Sequence, residues 1–368
     1  MPSTHAARLD RWLGPGVADH LSMQMRNWYG PPIPVAGVPG AVWAHKGGDF
    51  HGRIRSGQFV SGLDWALMRL KRASREWARK SVSQANAGFA SLSDLIAEAS
   101  AGKRREFFWN KVGATGVVGV TNSLWGLGNQ PAAGANAAAA PAGESPTKAT
   151  TGAINFDNVS PDTRHVVSAW GQASVAGQNL LLYDRIFQVN KTMASTATEA
   201  VTGIPTRYQS VTPGAADSAE GNFLFIEVGG TALAATAHNW TVCTYLDQIN
   251  GASTMPSLVG NASAIVRRLD HPAYQWFAPL ANGDTGVKAL TQMQCSASVA
   301  TGVINFVIGH PIAVIPVPII NLVCQQDYVN TAFNLARIFD DAALALLELM
   351  KPATTATTYN ASVTSVAG

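Results

Sequence analysis

Between residues 151 and 325 the chain is punctuated in a way that few folds can use. Short runs rich in Val, Ile, Thr, Phe and Leu (GAINF, HVVSAWG, NLLLYDRIFQV, GNFLFIEVGG, NWTVCTYL, GVINFVIG) alternate with turn dipeptides such as Pro213-Gly214, Gly229-Gly230, Asn250-Gly251 and Asn282-Gly283. β-branched and aromatic residues suit a pleated, half-buried surface, and Asn-Gly or Pro-Gly supplies the backbone conformations that reverse a chain. Helices do not alternate with these runs, so a doubly wound parallel sheet is excluded. An antiparallel β-sandwich or jelly-roll-like domain over residues 151–328 is expected instead.

The flanks differ from this middle. Up to Lys111 there are 16 Lys and Arg against 8 Asp and Glu; from Val112 onward there are 10 against 15, and the two balances, +8 and −5, sum to the chain's +3. Seven of the ten tryptophans lie at or before Trp125. Residues 1–128 therefore read as a basic, Trp-rich arm, extended and partly helical. WYGPPIPVAGVPG (28–40) is too rich in Pro and Gly for a helix and must lean on something. LDWALMRLKRASREWARK (63–80) places Leu63, Leu67, Leu70 and Trp77 on one helical stripe, and a second helix is expected over Ser91–Ser100, stopped by Gly102. Residues 129–150, rich in Ala, Gly and Pro, read as a flexible linker. Leu335, Ile338, Phe339, Ala342, Leu346 and Leu349 recur at helical spacing, which predicts a C-terminal amphipathic helix over 329–351. The uncharged, β-prone tail 352–368 is expected to be disordered or to add a strand to a neighbour. The fold class is thus mainly β with some α.

Chemistry-bearing motifs are sparse. Cys243, Cys295 and Cys324 have no CxxC spacing, so neither a disulfide framework nor a zinc ribbon is expected. Gly113-Ala-Thr-Gly116-Val-Val-Gly119 lacks the Gly-Lys-Ser/Thr of a phosphate loop and the spacing of a dinucleotide fingerprint. The eight histidines show no metal-ligand spacing, and neighbours such as Asp270 and His271 point apart on an extended backbone. Asp184 and Arg185, inside an apolar run, read as a structural ion pair. No nucleophile elbow is present. The reading is of a non-enzyme with no cofactor and no metal. VINFVIGHPIAVIPVPIINLVC (303–324) is long enough to cross a bilayer, but three prolines and a Val/Ile bias favour two short buried strands around a Gly-His-Pro turn. No membrane partner is expected, and the N-terminus lacks the apolar core of a secretory signal.

One signal has a binding mechanism. Arg69, Lys71, Arg72, Arg75, Arg79 and Lys80 crowd one helix, with Lys103, Arg104 and Arg105 following. Such a cluster can neutralise phosphates by counterion release without reading sequence, or it can face solvent or an acidic protein surface. Trp28, Tyr29 and Trp43 on the extended arm are candidate contacts with neighbouring subunits, because no local core accepts them. Trp240, Tyr274 and Trp276 would be the platforms of a receptor- or glycan-binding module, with core packing as their commoner role. With only 13% charged residues, the chain also suits a subunit that hides surface against neighbours.

From about Leu180 onward the sequence resembles virion structural proteins of tailed bacteriophages. The stretches that carry the resemblance are 179–210 (NLLLYDRIFQVNKTMASTATEAVTGIPTRYQS), GNFLFIEVGGTAL (221–233), NGDTGVKALTQMQCSA (282–297), 301–324 and 330–357, about half the chain. The resemblance implies a particle component assembled in the bacterial cytoplasm: head shell, a cement or decoration protein, or a neck or tail part. Its partners would be capsid subunits, copies of itself and, without sequence specificity, packaged DNA. It implies no catalytic residues.

Overall fold

A computed structural model describes residues 89–331 and 335–368, all within one compact unit that spans Ser83–Gly368. The described chain opens with α1 (Leu92–Glu98), capped where the Ser91 hydroxyl accepts the Asp94 amide at 3.1 Å. A wide turn, Ala99–Lys103, follows and is broken at Gly102, whose φ of 86° lies in the left-handed region. This matches the helix and stop expected there.

Three antiparallel sheets make up the rest. One contains β1 (Arg104–Val112), β3 (Asn129–Gln130), β4 (Arg164–Ala173), β13 (Cys324–Asp327), β14 (Arg337–Ile338) and β16 (Thr358–Ala367), in the order β13-β4-β16-β1-β3 with β14 also on β4. The central sheet runs β2-β15-β5-β12-β7: β2 (Asn122–Ser123), β15 (Leu344–Leu349), β5 (Gln178–Thr192), β12 (Val303–Val317) and β7 (Phe223–Val228). The third runs β10-β8-β11-β6, with β9 on β8: β10 (Leu258–Val259), β8 (Asn239–Asp247), β11 (Val287–Cys295), β6 (Glu199–Ala200) and β9 (Ala252–Thr254). The named strands all pair antiparallel, consistent with the β-sandwich expected from the turn punctuation, and they form three sheets.

The central sheet is buried on both faces. On β7, Phe223 and Phe225 enter one core while Leu224, Ile226 and Val228 enter another. On β15, Ala345, Leu347 and Leu349 join the first of these, while Leu344 and Leu346 enter a third core shared with Trp109, Val166 and Val363. One face thus carries a single core, and the opposite face is covered by the third sheet at one end and by the β1–β4–β16 sheet at the other. The long strands β5 and β12 serve both ends, and the irregularities in their pairing at Ile308/Gly309 and Pro311/Ala313 shift which residues point inward.

Several expectations are overturned. The 303–324 stretch forms one 15-residue strand, β12, rather than two strands around a turn. Its prolines are tolerated because β7 pairs only with Ile304–Gly309, so Pro311 and Pro316 lie where one side of β12 has no strand partner. Among the described residues, the C-terminal helix expected over 329–351 is not formed. Tyr328–Thr331 makes a single turn, α2, and Leu344–Leu349 is a strand between β2 and β5. A strand buried on both faces is largely apolar, and LALLEL, apolar except for Glu348, satisfies that as readily as it fits a helical stripe.

The tail is neither free nor lent to a neighbour. As β16 it is the middle strand of its sheet, with Tyr359, Ala361 and Val363 fully buried between β1 and β4. Residues 104–125 belong to the β unit rather than to an arm, since β1 pairs with β16 from Arg104↔Val366 to Val112↔Thr358. Residues 129–150 are held, not loose. Backbone hydrogen bonds tie Glu144 to Gln188 in both directions at 2.8 and 2.9 Å, and Asn190 donates to Ala138 at 2.9 Å. They occupy the flank of β5 that β15, pairing only with 179–184, leaves open. The Gly content serves close approach: a Cβ on Gly134 would overlap the Trp125 indole.

Candidate functional site

Most of the residues nominated for interface or nucleic-acid contact lie outside the described residues: Trp28, Tyr29, Trp43, Arg69, Lys71, Arg72, Arg75, Arg79 and Lys80. The remaining three sit at the junction of α1 and β1. Lys103 contacts Glu98 at 2.9 Å and Asp162 at 2.8 Å, and these carboxylates, Asp162 first, raise its pKa above the usual lysine value. Arg105 donates to the Gly102 and Arg104 carbonyls at 2.7 and 2.8 Å, and Arg104 lies 3.8 Å from Glu106. Lys103 is therefore committed to neighbours in its own fold, while Arg104 and Arg105 are exposed.

Of the three aromatic platform candidates, Trp240 is fully buried, donating its indole N–H to Asp270 at 2.8 Å and packing edge-on against Phe306. Tyr274, 70% exposed, and Trp276 remain at the surface.

The sequence reading missed a surface feature. The loop leaving β12 reads Pro-Ile-Ile-Asn-Leu-Val, and Ile319, Ile320, Leu322 and Val323 are each about half exposed, with Val314 also open on β12. The loop leads directly into β13, whose Cys324 pairs with Gly171 and Gln325 with Trp170 of β4. Trp170 meets Phe108 of β1, 57% exposed, edge to face at 6.3 Å. Four consecutive-range apolar side chains in a loop, beside an aromatic pair on an outer sheet face, form the kind of surface that marks an interaction site. The run IINLV is visible in the sequence, but its hydrophobicity reads equally well as the end of a buried strand.

Several charged groups, by contrast, pair inside the fold. Asp184 and Arg185 do pair ionically, though not with each other, because adjacent strand residues face opposite ways. Arg185 meets Glu227 at 2.6 Å and Asp184 meets Arg207 at 2.7 Å. Burial works against the Glu227 carboxylate, but the facing Arg185 outweighs it and holds the group below the usual range. Asp270 receives His238 Nε2 and the Trp240 indole at 2.8 Å each. His271 does not touch Asp270's cluster as a base: its Nε2 accepts the Ile226 amide at 3.0 Å, and burial lowers its pKa to about 4. A further cluster joins Asn122 and Glu348 of the central sheet to Lys351, just past β15, and to Tyr359 of β16.

Among the described residues no group of three or more His, Cys, Asp and Glu is placed to hold a metal, and no helix is long and apolar enough to cross a membrane. A hollow of about 220 Å³ beside Phe108, lined by Gln130, Pro131 and Ala153–Asn155, has no ionisable side chain in its wall.

No protein-family model matches the sequence. No curated protein matches it either. Among solved structures, that of the infectious bursal disease virus Gx strain is 8% identical over 72% of this chain and 80% of that chain, with a TM-score of 0.16. The VP2 subviral particle of infectious bursal disease virus is 10% identical over the same shares, with a TM-score of 0.15. Similarity this low carries no argument about this chain.

Proposed function

We propose that the chain is a non-enzymatic structural component of a tailed-phage particle, in the head shell or cementing it, with capsid subunits and copies of itself as partners. The observation that carries the reading is the exposed apolar loop 318–323 beside Phe108 and Trp170, whose own side chains are all uncharged. Such a surface loses little by being covered, because few charged groups need to be stripped of water. Many weak contacts of this kind add up when each subunit is held by several neighbours. The resemblance of residues 179–357 to tailed-phage virion proteins supplies the particle context. The basic run Arg69–Lys80 of the sequence and, separately, exposed Arg104 and Arg105 are the candidates for contact with packaged DNA, where affinity would fall steeply with salt.

The test is the copy number of this chain in purified particles, measured by quantitative mass spectrometry against the packaged genome. A count on the scale of a whole shell is expected. A count matching one small ring would move the chain to the neck or tail, and absence from particles would overturn the virion reading.

A further inference from the structure

Glu348 of β15 and Asn122 of β2 are register partners, and Lys351 follows two residues beyond the end of β15. The two oxygens of the Glu348 carboxylate hold two nitrogens at once. Oε2 accepts from Asn122 Nδ2 at 2.8 Å and Oε1 accepts from Lys351 Nζ at 2.8 Å, with the Tyr359 hydroxyl also donating to Oε1. All four side chains are fully buried. Asn122 Oδ1 has no hydrogen-bond partner. The lysine and the asparagine also share one small space over Gly116, where an added Cβ would lie 2.9 Å from Lys351 Cδ and 3.4 Å from Asn122 Nδ2.

As a purely structural device this cluster is expensive. A buried ion pair seldom outperforms apolar packing of the same volume, and an orphaned amide oxygen adds a further cost. As a reaction site it is complete, with a primary amine, a carboxamide and a carboxylate touching both, all shielded from water. Glu227 provides the internal contrast: it too holds a cation and an asparagine, Arg185 at 2.6 Å and Asn305 Nδ2 at 2.9 Å, but a guanidinium does not give up its proton to become a nucleophile.

We propose that Lys351 and Asn122 become joined by an intramolecular isopeptide bond, with Glu348 carrying the protons. The Lys351 ammonium passes a proton to Glu348 along their 2.8 Å contact. The protonated carboxyl then donates to the Asn122 carbonyl after the amide turns over, which polarises Cγ. The Nζ lone pair attacks Cγ, forming the new C–N bond. Glu348 transfers a proton to the departing Nδ2 and recovers one from Nζ, the Cγ–Nδ2 bond breaks, and ammonia leaves. No oxidant or co-reactant is required. The bond closes a covalent ring from residue 122 to residue 351, which encloses every strand from β3 to β15.

Intact-protein and peptide mass spectrometry of the folded full chain tests this. Trypsin cuts after Lys111, Lys148 and Arg337, while Lys351 is protected by Pro352, so Asn122 lies in peptide 112–148 and Lys351 in peptide 338–368. The expected result is one linked species of the two peptides, lighter than their sum by one ammonia, with fragment ions placing the bond at Asn122 and Lys351. Asn122→Asp should give the identical linked product by loss of water, and Glu348→Gln should give two free peptides. Recovery of both free wild-type peptides at their sequence masses overturns the proposal. So does an ammonia loss confined to peptide 112–148, which would be a succinimide at Asn122, and linkage that persists in Glu348→Gln removes Glu348 from the mechanism.

Discussion

Replacing Glu227 by Gln isolates one fully buried charge pair of the fold. Arg185 is fully buried, and its guanidinium has four polar contacts: Glu227 Oε1 at 2.6 Å, Glu227 Oε2 at 3.3 Å, Gln188 Oε1 at 2.6 Å and the Tyr183 hydroxyl at 3.2 Å. It also lies over the Trp125 ring at 4.8 Å. Glu227→Gln keeps the shape but removes the countercharge, and arginine cannot neutralise itself by losing a proton. Breaking a buried pair from one side costs about 3–5 kcal/mol. At about 2–4 °C per kcal/mol for a unit of this size, the melting temperature should fall by roughly 6–20 °C.

Thermal unfolding of the full chain by circular dichroism at neutral pH reads this directly. The double variant Arg185→Met/Glu227→Met, which replaces both charges by apolar groups, should recover most of the loss. The pH dependence gives a second check. Glu227 is held below the ordinary carboxylate pKa of about 4.3, so its wild-type contribution is complete above that value and is lost as pH falls through the lower folded value. In Arg185→Met the carboxylate is buried without its cation, so the sign reverses and acid should restore stability relative to wild type. A Glu227→Gln melting temperature within about 2 °C of wild type, or a double variant less stable than Glu227→Gln, would refute the reasoning.

Two further predictions rest on the same sheets. Deleting residues 358–368 removes β16, leaving β1 and β4 without their shared partner. Since Tyr359 and Val363 alone forfeit about 1.5–3 kcal/mol each in burial, the truncated chain should lose its cooperative unfolding transition, and a soluble truncation with a native spectrum would contradict the topology. For His238, burial opposes the charged imidazole, but its contact with Asp270 prevails and raises the pKa above the usual value. Its contribution is therefore complete below about pH 6.5 and lost as pH rises through the folded value. The melting temperature should decline over that range in wild type and less so in His238→Gln; equal slopes would argue against the pairing.

How much was legible depends on the range of the cause. The strands around NLLLYDRIF and GNFLFIEV, the helix after Ser91 and its stop at Gly102 follow from local composition and turn chemistry, and they stand where expected. The Ala/Gly/Pro stretch 129–150 has the composition of a linker, yet it is fixed by Trp125 and by the open flank of β5, which come from elsewhere in the chain. The same holds for the candidate sites. Lys103–Arg105 were visible as charge, but Glu98 and Asp162, which occupy Lys103, are not all nearby in sequence. The exposed loop 318–323 was visible as hydrophobicity, a property that does not say which side of a strand end meets water.

By itself, then, the sequence determined the β character of the middle, its antiparallel connectivity and the absence of familiar catalytic motifs, because turns and residue preferences act over a few residues. Tertiary structure alone decided that LALLEL is a strand, that the uncharged tail is the centre of a sheet, and that Asn122 and Lys351 share the Glu348 carboxylate. A strand is completed by hydrogen-bond partners that can lie anywhere in the chain, and helical spacing cannot prevail over a slot whose two faces are both apolar. The buried clusters follow from the same long-range pairing, since a charge inside a sheet is tolerable only where the fold delivers its partner.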